Sequence, residues 1–381
     1  MPHHNSVFHT MLKLVPWNEF ETAVARHGGV GMTRGFSFAS QLAAMLYAQF
    51  SGAASLREIE AGLHSQAHRL YHLGVRAPRR SSLADANRHR SAKIFSDLLG
   101  VMIQRAHRGL RRRLDGVTHL IDSTSLRLNE RSAAWSRFSA AACGVKLHIV
   151  YDPDADCPMY AAVSTANVND ITAAQAMPIT AGATYVFDLG YYDYAWWAKL
   201  DAAQCRIVTR LKRNTPFAIS ETRPVEPDSA IQSDRIGTLP ARQAKNRRNP
   251  LSKPVREVLV RIDTGKLLRI LTNDLVAPAR EIADLYKRRW AIELFFRWVK
   301  QVLKITRFLG TSENAVRIQI AVALIAFLLL RLAHKTQTAV TSPLAFARLV
   351  KVNLMHRRPI TQLLTPYTCL SPPDPRQGVL I

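Results

Sequence analysis

The sequence predicts a mixed α/β protein in which an all-helical stretch precedes the sheet and a β-rich insertion interrupts it. Three observations lead there. Helical periodicity runs from Ser6 to Arg113, strand patterning replaces it after Asp115, and strands then alternate with helices around a polar, basic segment.

The helical stretch, 1–113, reads as SVFHTMLKLV, FSFASQLAAMLYAQFSG, SLREIEAGLHSQ and SSLADANRHRSAKIFSDLLGVMIQRAHRGLRRR. Ser55 with Glu58 three residues on forms a capping box, and Ser82 with Asp85 marks the next helix start. Gly74 and Pro78 punctuate the connection between those helices. Two short helices followed by SLADANRHR fit a helix-turn-helix with Arg88 and Arg90 facing DNA, or equally a plain bundle with solvated arginines.

Strands follow. THLIDSTSLRL alternates, GVKLHIVYD and CPMYAAVSTAN flank the turn-forming PDAD as a hairpin, and TYVFDL is a short buried strand. Residues Tyr191 to Ala203 read as helix and CRIVTRLK as a further strand. Segment 212–273 is the insertion; it holds the basic run KNRRNPLSKPVR and then a hairpin turning at Asp263, Thr264 and Gly265. A long helix from Pro278 to Leu303 and an apolar helix from Asn314 to Lys335 complete the sheet domain, 114–211 with 274–335. The tail, 336–381, carries several prolines.

The 381 residues are 48% hydrophobic and 21% charged, enough for a sizeable core and incompatible with a disordered, collagenous or disulfide-scaffold chain. Lys and Arg number 52 against 28 Asp and Glu, a formal charge of +24. Such an excess calls for a polyanionic partner, nucleic acid before a membrane surface. Cys143, Cys157, Cys205 and Cys369 lie far apart with no metal-ligand spacing, which fits a reducing cytoplasm. The N-terminus lacks the pattern of a secretory leader, and the longest apolar run, Ile320 to Leu330, is too short to cross a bilayer. The expectation is a soluble, cytoplasmic protein with no membrane association.

Chemistry concentrates in three places. On a continuous helix advancing about 100° per residue, Tyr286, Glu293 and Lys300 fall at heptad spacing on one stripe, with Arg289 and Arg297 beside them. Ala291, Ile292, Phe295, Phe296 and Val299 form the opposite, core-facing arc. One acid framed by cations and a phenol suits a metal-binding carboxylate next to a phosphate backbone; a solvated salt-bridged face is the plainer reading. Asp122 stands inside an apolar strand and Asp188 at the end of another, where an ionised carboxylate is expensive unless paired or metal-bound. Two strand carboxylates and one helix carboxylate can converge on two Mg²⁺ ions. Other candidates carry less. Asp152, Asp154 and Asp156 imitate a calcium loop, but Cys157 and Val163 break the pattern and a hairpin turn fits better. His3, His4 and His148 lack ligand spacing, and Trp290 and Trp298 read as core sooner than as base-stacking residues. Lys146 either contacts phosphate or snorkels from the sheet edge.

With these residues in place, the chain resembles the bacterial insertion-sequence transposases of the Asp-Asp-Glu type, in the insertion sequence 4 group whose signature is Tyr, two residues, Arg, three residues, Glu, six residues, Lys. Tyr286, Arg289, Glu293 and Lys300 match that spacing, and IDSTSLRL around Asp122, GVKLHIVYD around Lys146 and FDLGYYDY around Asp188 extend the resemblance as far as Lys335. It implies a ribonuclease-H-like catalytic domain behind a helical DNA-binding domain. It implies catalytic and metal-binding roles for Asp122, Asp188 and Glu293, two Mg²⁺ ions with Mn²⁺ as a substitute, and DNA contacts from Tyr286, Arg289, Lys300, Arg297, Lys146, Arg88 and Arg90. The implied partners are double-stranded DNA, as terminal inverted repeats and as target, and a second copy forming a homodimer on paired ends at the bacterial nucleoid. A nuclease or resolvase that cuts without joining, and a silent DNA-binding regulator, are the alternatives. Two departures stand out: Asn169 replaces a His found in relatives, and the insertion has no Trp, leaving Phe217 as the nearest aromatic for a flipped base.

Overall fold

The computed structural model describes residues 5–28, 35–110, 116–140, 142–242, 247–303, 305, 307–357 and 359. The helix-to-strand boundary at Arg113 to Asp115, His3, His4, Cys369 with half of the tail, and Lys245 and Asn246 of the basic run lie outside them.

Seven helices come first: α1 (Val7–Leu12), α2 (Trp17–His27), α3 (Phe38–Ser51), α4 (Leu56–His64), α5 (Ala67–Leu70), α6 (Arg80–His89) and α7 (Ala92–Leu110). Their starts follow the chemistry read from sequence at α4, where Ser55 Oγ accepts from the Glu58 amide and the Glu58 carboxylate reaches back to the Ala54 amide and the Ser55 hydroxyl. The start of α6 differs. Ser82 lies inside the helix, which begins at Arg80 because the Glu60 carboxylate accepts the Arg80 amide. The run through α6 and α7 is also broken, at Arg90, whose ψ of 135° is extended. Asn314 causes the break by taking the Asn87 and Arg90 carbonyls and capping the Ala92 amide.

The sheet elements are β1 (Thr118–Leu128), the short α8 (Ala133–Ser136), β2 (Arg137–Ser139), β3 (Ala142–Asp152), β4 (Cys157–Thr165), α9 (Asp170–Gln175), β5 (Thr184–Val186), α10 (Tyr194–Ala202) and β6 (Arg206–Arg210). Next come β7 (Ala218–Arg223), β8 (Ile231–Thr238), β9 (Val255–Arg261) and β10 (Leu267–Thr272), then α11 (Ala279–Arg288), α12 (Trp290–Val302), α13 (Glu313–Lys335) and α14 (Pro343–Val352). Strand β3 pairs antiparallel with β4 and with β1, while β5 and β6 run parallel to β1. Three antiparallel strands followed by two parallel ones form a ribonuclease-H-like sheet. The insertion strands extend this sheet, because β10 pairs antiparallel with β6 and carries β9, β8 and β7 behind it. Gly265 turns the β9–β10 hairpin with φ +77°, a conformation that favours glycine.

Two cores lie on the two sides of β1. One joins the N-terminal helices to α11, α12, α13 and the face of β1 that carries Leu120 and Leu126. The other holds Ile121, Phe187, Tyr191 and Trp197 under α10. Helix α13 is long and apolar enough to cross a membrane, but 83% of its most apolar window is buried by protein. It packs against α3, α6, α7 and α14.

The helix expected from Pro278 to Leu303 is two helices. Between them Arg289 donates its amide to Tyr286 and accepts from Ile292, each bond spanning three residues and tightening the turn. The heptad stripe is therefore interrupted, with Tyr286 buried near the end of α11 and Glu293 in the first turn of α12.

Candidate active site

Strand register brings two of the three acids together. Leu120 pairs with Val186 across the parallel β1–β5 ladder, and two residues further along each chain stand Asp122 and Asp188. They emerge at the same level, beside the point where β1 has an antiparallel neighbour on one side and a parallel one on the other, the usual crevice of a mixed sheet. Asp122 Oδ1 accepts its neighbour's amide at 2.8 Å, and Asp188 Oδ1 accepts the Gly190 amide at 2.8 Å. A side chain at position 190 would meet Asp188 Oδ1 at 3.0 Å and Asp170 Oδ2 at 3.3 Å, so glycine leaves room for the acids. Helix α12 supplies Glu293 from its first turn, and Arg289 bridges: its Nη1 lies 3.4 Å from Asp122 Oδ2 and its Nη2 donates to Glu293 Oε1.

Burial, then the nearby Asp188 and Glu293, push the Asp122 carboxyl up to about 6 from an ordinary 3.8, despite Arg289. Burial likewise raises the Tyr286 phenol and lowers the Lys300 ammonium. Among the described residues no three His, Cys, Asp or Glu side chains are already drawn together at metal-ligand distance. The donor set still suits a hard cation: carboxylate oxygens whose mutual repulsion is felt at Asp122, with a guanidinium lying between two of them.

The basic candidates separate. Arg297 is exposed beside Trp290, 6.0 Å from its ring, and Lys300 is half-buried one turn on. Arg88 is exposed at the end of α6. Arg90 is a correction: its guanidinium donates to Ser37 O and Gln41 Oε1 at 3.1 Å and to Phe36 O, and lies over the Phe38 ring at 4.3 Å. That directs both terminal nitrogens into the protein rather than onto an open face. Lys146 is a second correction. It pairs with Ser125, and so belongs to the face of β1 opposite Asp122. There its ammonium donates to Val168 O at 3.0 Å and Asp170 Oδ1 at 3.1 Å. Tyr286 is 8% exposed, with Arg289 5.9 Å from its ring, and it lines the cleft beside α11. Trp298 packs edge-on against Phe327 as expected of a core residue, whereas Trp290 is 52% exposed.

A cleft of about 1220 Å³ separates β8, β9 and β10 from α11 and opens at Tyr286, Arg289 and Trp290. Phe217 is half-buried against the second core and does not line it.

Sequence reasoning missed Asp170, which accepts the Ser123 hydroxyl at 2.7 Å as well as Lys146. Its signal was its place at the start of a helix after the Asn-Val-Asn loop, legible as a helix start and as nothing more. The hairpin acids proved structural: Asp152 pairs with His107 of α7, Asp154 with Arg288 of α11 and Asp156 with Arg331 of α13.

A mixed sheet that brings Asp122 of β1 level with Asp188, just past β5, and sets both against the helix carrying Glu293 is the geometry of the site, and comparison with known proteins supplies the family. The transposase DDE domain matches residues 115–329, and a domain of unknown function, DUF4372, matches residues 3–76. The chain is 38% identical over 290 residues to y4zB of Sinorhizobium fredii, named as a transposase, covering 76% of this chain and 81% of that one. It is 30% identical over 263 residues to the Geobacillus stearothermophilus protein named as the transposase of insertion sequence element IS5377, covering 68% of each. A piggyBac transposase synaptic complex with hairpin DNA superposes at a TM-score of 0.45 and 11% identity over 94% of this chain and 79% of that one, too loosely to carry an argument. The chain belongs to the DDE transposases and is a DNA transposase of the bacterial insertion-sequence type.

Proposed function

We propose that this transposase cuts the ends of its insertion sequence and joins them to target DNA at Asp122, Asp188 and Glu293. The observation that carries the reading is the shared level of Asp122 on β1 and Asp188 two residues past the end of its parallel neighbour β5, with Glu293 tied to Asp122 through Arg289. In the cutting step water attacks phosphorus and a 3′ oxygen leaves as a hydroxyl. In the joining step that hydroxyl attacks a target phosphodiester and displaces another 3′ oxygen. The three carboxylates would hold divalent ions, Mg²⁺ with Mn²⁺ as substitute, which supply charge stabilisation for the attacking and departing oxygens.

The protein's own groups have separate tasks. Asp122 must lose its proton to act as a ligand, so its raised pKa ties the site to neutral or higher pH. Arg297 and Lys300, on the helix that carries Glu293, grip phosphates beside the cut, and Tyr286 braces Arg289. Helices within 1–113, with Arg88 exposed on α6, hold the duplex further away, and a homodimer pairs two ends at the cytoplasmic nucleoid.

Labelled element ends incubated with the protein and Mg²⁺ test this directly. Nicked and strand-transferred products are expected from the parent, and neither from D122N, D188N or E293Q. Cleavage without joining would favour a nuclease, and cleavage by any of the three variants at the parent's rate would overturn the site.

A further inference from the structure

We propose that Arg289 is the resident counter-cation of the carboxylate site, and that it exchanges this place for a DNA phosphate when divalent ions are bound. The inference rests on the site assignment above and adds a coupling between metal and DNA. Three observations carry it. The side chain is half-buried, 18% exposed, and its two terminal nitrogens are each directed at a different member of the carboxylate set, Asp122 and Glu293. Its Nε is buried with no acceptor, so the arginine is incompletely satisfied where it stands. Its backbone is the tight turn between α11 and α12, and its side chain also borders the cleft that Arg210 and Lys287 line.

A single guanidinium cannot serve both tasks at once. While it neutralises Asp122 and Glu293 it competes with cations for the same oxygens, and its two terminal nitrogens are turned to those carboxylates. Once the carboxylates are otherwise neutralised, Arg289 loses its partners and its planar fork suits a phosphate oxygen pair. Neighbouring Arg288 has no such freedom, because Asp154, outside the site, holds it. Metal and DNA end should then each strengthen the binding of the other, by the same factor.

Mn²⁺ binding to the full chain, followed by the electron paramagnetic resonance of the free ion, reads this without catalysis. R289Q should bind Mn²⁺ about fivefold or more tightly than the parent, a typical coupling magnitude, with R289K between the two. Mn²⁺ should tighten the parent's grip on pre-cleaved ends and leave that of R289Q nearly unchanged. Equal or weaker Mn²⁺ binding by R289Q would reduce Arg289 to a brace and overturn the proposal. The site assignment fails differently, if D122N and E293Q both keep the parent's Mn²⁺ affinity. Should R289Q not fold, E293Q decides: in metal-free buffer it should bind pre-cleaved ends more tightly than the parent, and the gain should shrink in the R289K background. A gain of the same size there would be simple charge removal and would overturn the exchange.

Discussion

The two faces of β1 carry similar residues to opposite ends. Ser123, Lys146, His148 and Asp170 face one way and close on each other: Asp170 takes Ser123 and Lys146, and His148 Nε2 meets Ser164 Oγ at 2.8 Å. Asp122 faces the other way, toward Glu293 and Asp188, and its one cationic neighbour there is shared with Glu293. A polar cluster paired this far contributes stability, although His148 Nδ1 is buried without a hydrogen bond. A set of acids left short of positive charge is held in a state that a cation from solution would improve. The difference separates structure from function more clearly than residue type does, since both faces hold an Asp and a basic group within hydrogen-bond reach.

The widest separation between the faces should appear in cleavage. D122N, D188N or E293Q should lower end cutting by about 10³-fold or more, as removal of a catalytic group does. D170A, measured on the folded fraction, should retain cleavage within about tenfold of the parent. A gel assay with both sets of variants compares them, and a D170A protein that folds but does not cut would merge the two faces into one site.

Stability should move in the opposite sense. The Asp122 carboxyl is pushed up to about 6 from its ordinary 3.8, so it is harmless below about pH 4, destabilises increasingly between about pH 4 and 6, and costs no more above that. D122N should therefore stabilise the metal-free protein by about 2 kcal/mol at pH 7.5, and by little at pH 4. D170A should destabilise by about 1 to 3 kcal/mol at neutral pH, because Lys146 keeps only the Val168 carbonyl. Urea unfolding at both pH values checks the signs; a destabilised D122N at pH 7.5 would break the contrast.

Two arginines give the finest comparison. R90A should destabilise the helical region by about 1 to 3 kcal/mol, since it strips donors from Ser37, Phe36 and Gln41. R88A, at an exposed position, should change stability by less than about 0.5 kcal/mol. It should instead make the salt dependence of end binding shallower by about one contact. Fluorescence anisotropy across a salt series reads this, and an unchanged slope for R88A would take α6 off the DNA.

Much of this was legible one residue at a time. The capping box at Ser55, the hairpin at Asp263 to Gly265, the core arc of α12 and the strand context of Asp122 each depend on neighbours within a few positions, where periodicity and turn chemistry dominate, whereas the strand expected to end at Asp188 stops at Val186. The extent of α12 was less legible, because no glycine or proline marks the break at Arg289, whose side chain meets Asp122, 167 residues away in sequence. The role of Arg90 was hidden for the same reason. An arginine between His89 and Ser91 looks solvated until Phe36, Ser37 and Gln41 are folded around it.

Sequence alone determined the class of sheet, the order of the three acids and the polyanionic partner, because burial periodicity, spacing and net charge are properties of the chain. Tertiary structure decided which side of β1 each polar group would face, that the insertion would extend the sheet through β10, and that Arg289 would stand between Asp122 and Glu293. Those outcomes depend on register and on the packing of distant segments. A shift of one residue in a strand pairing would exchange the two faces without altering a single local pattern.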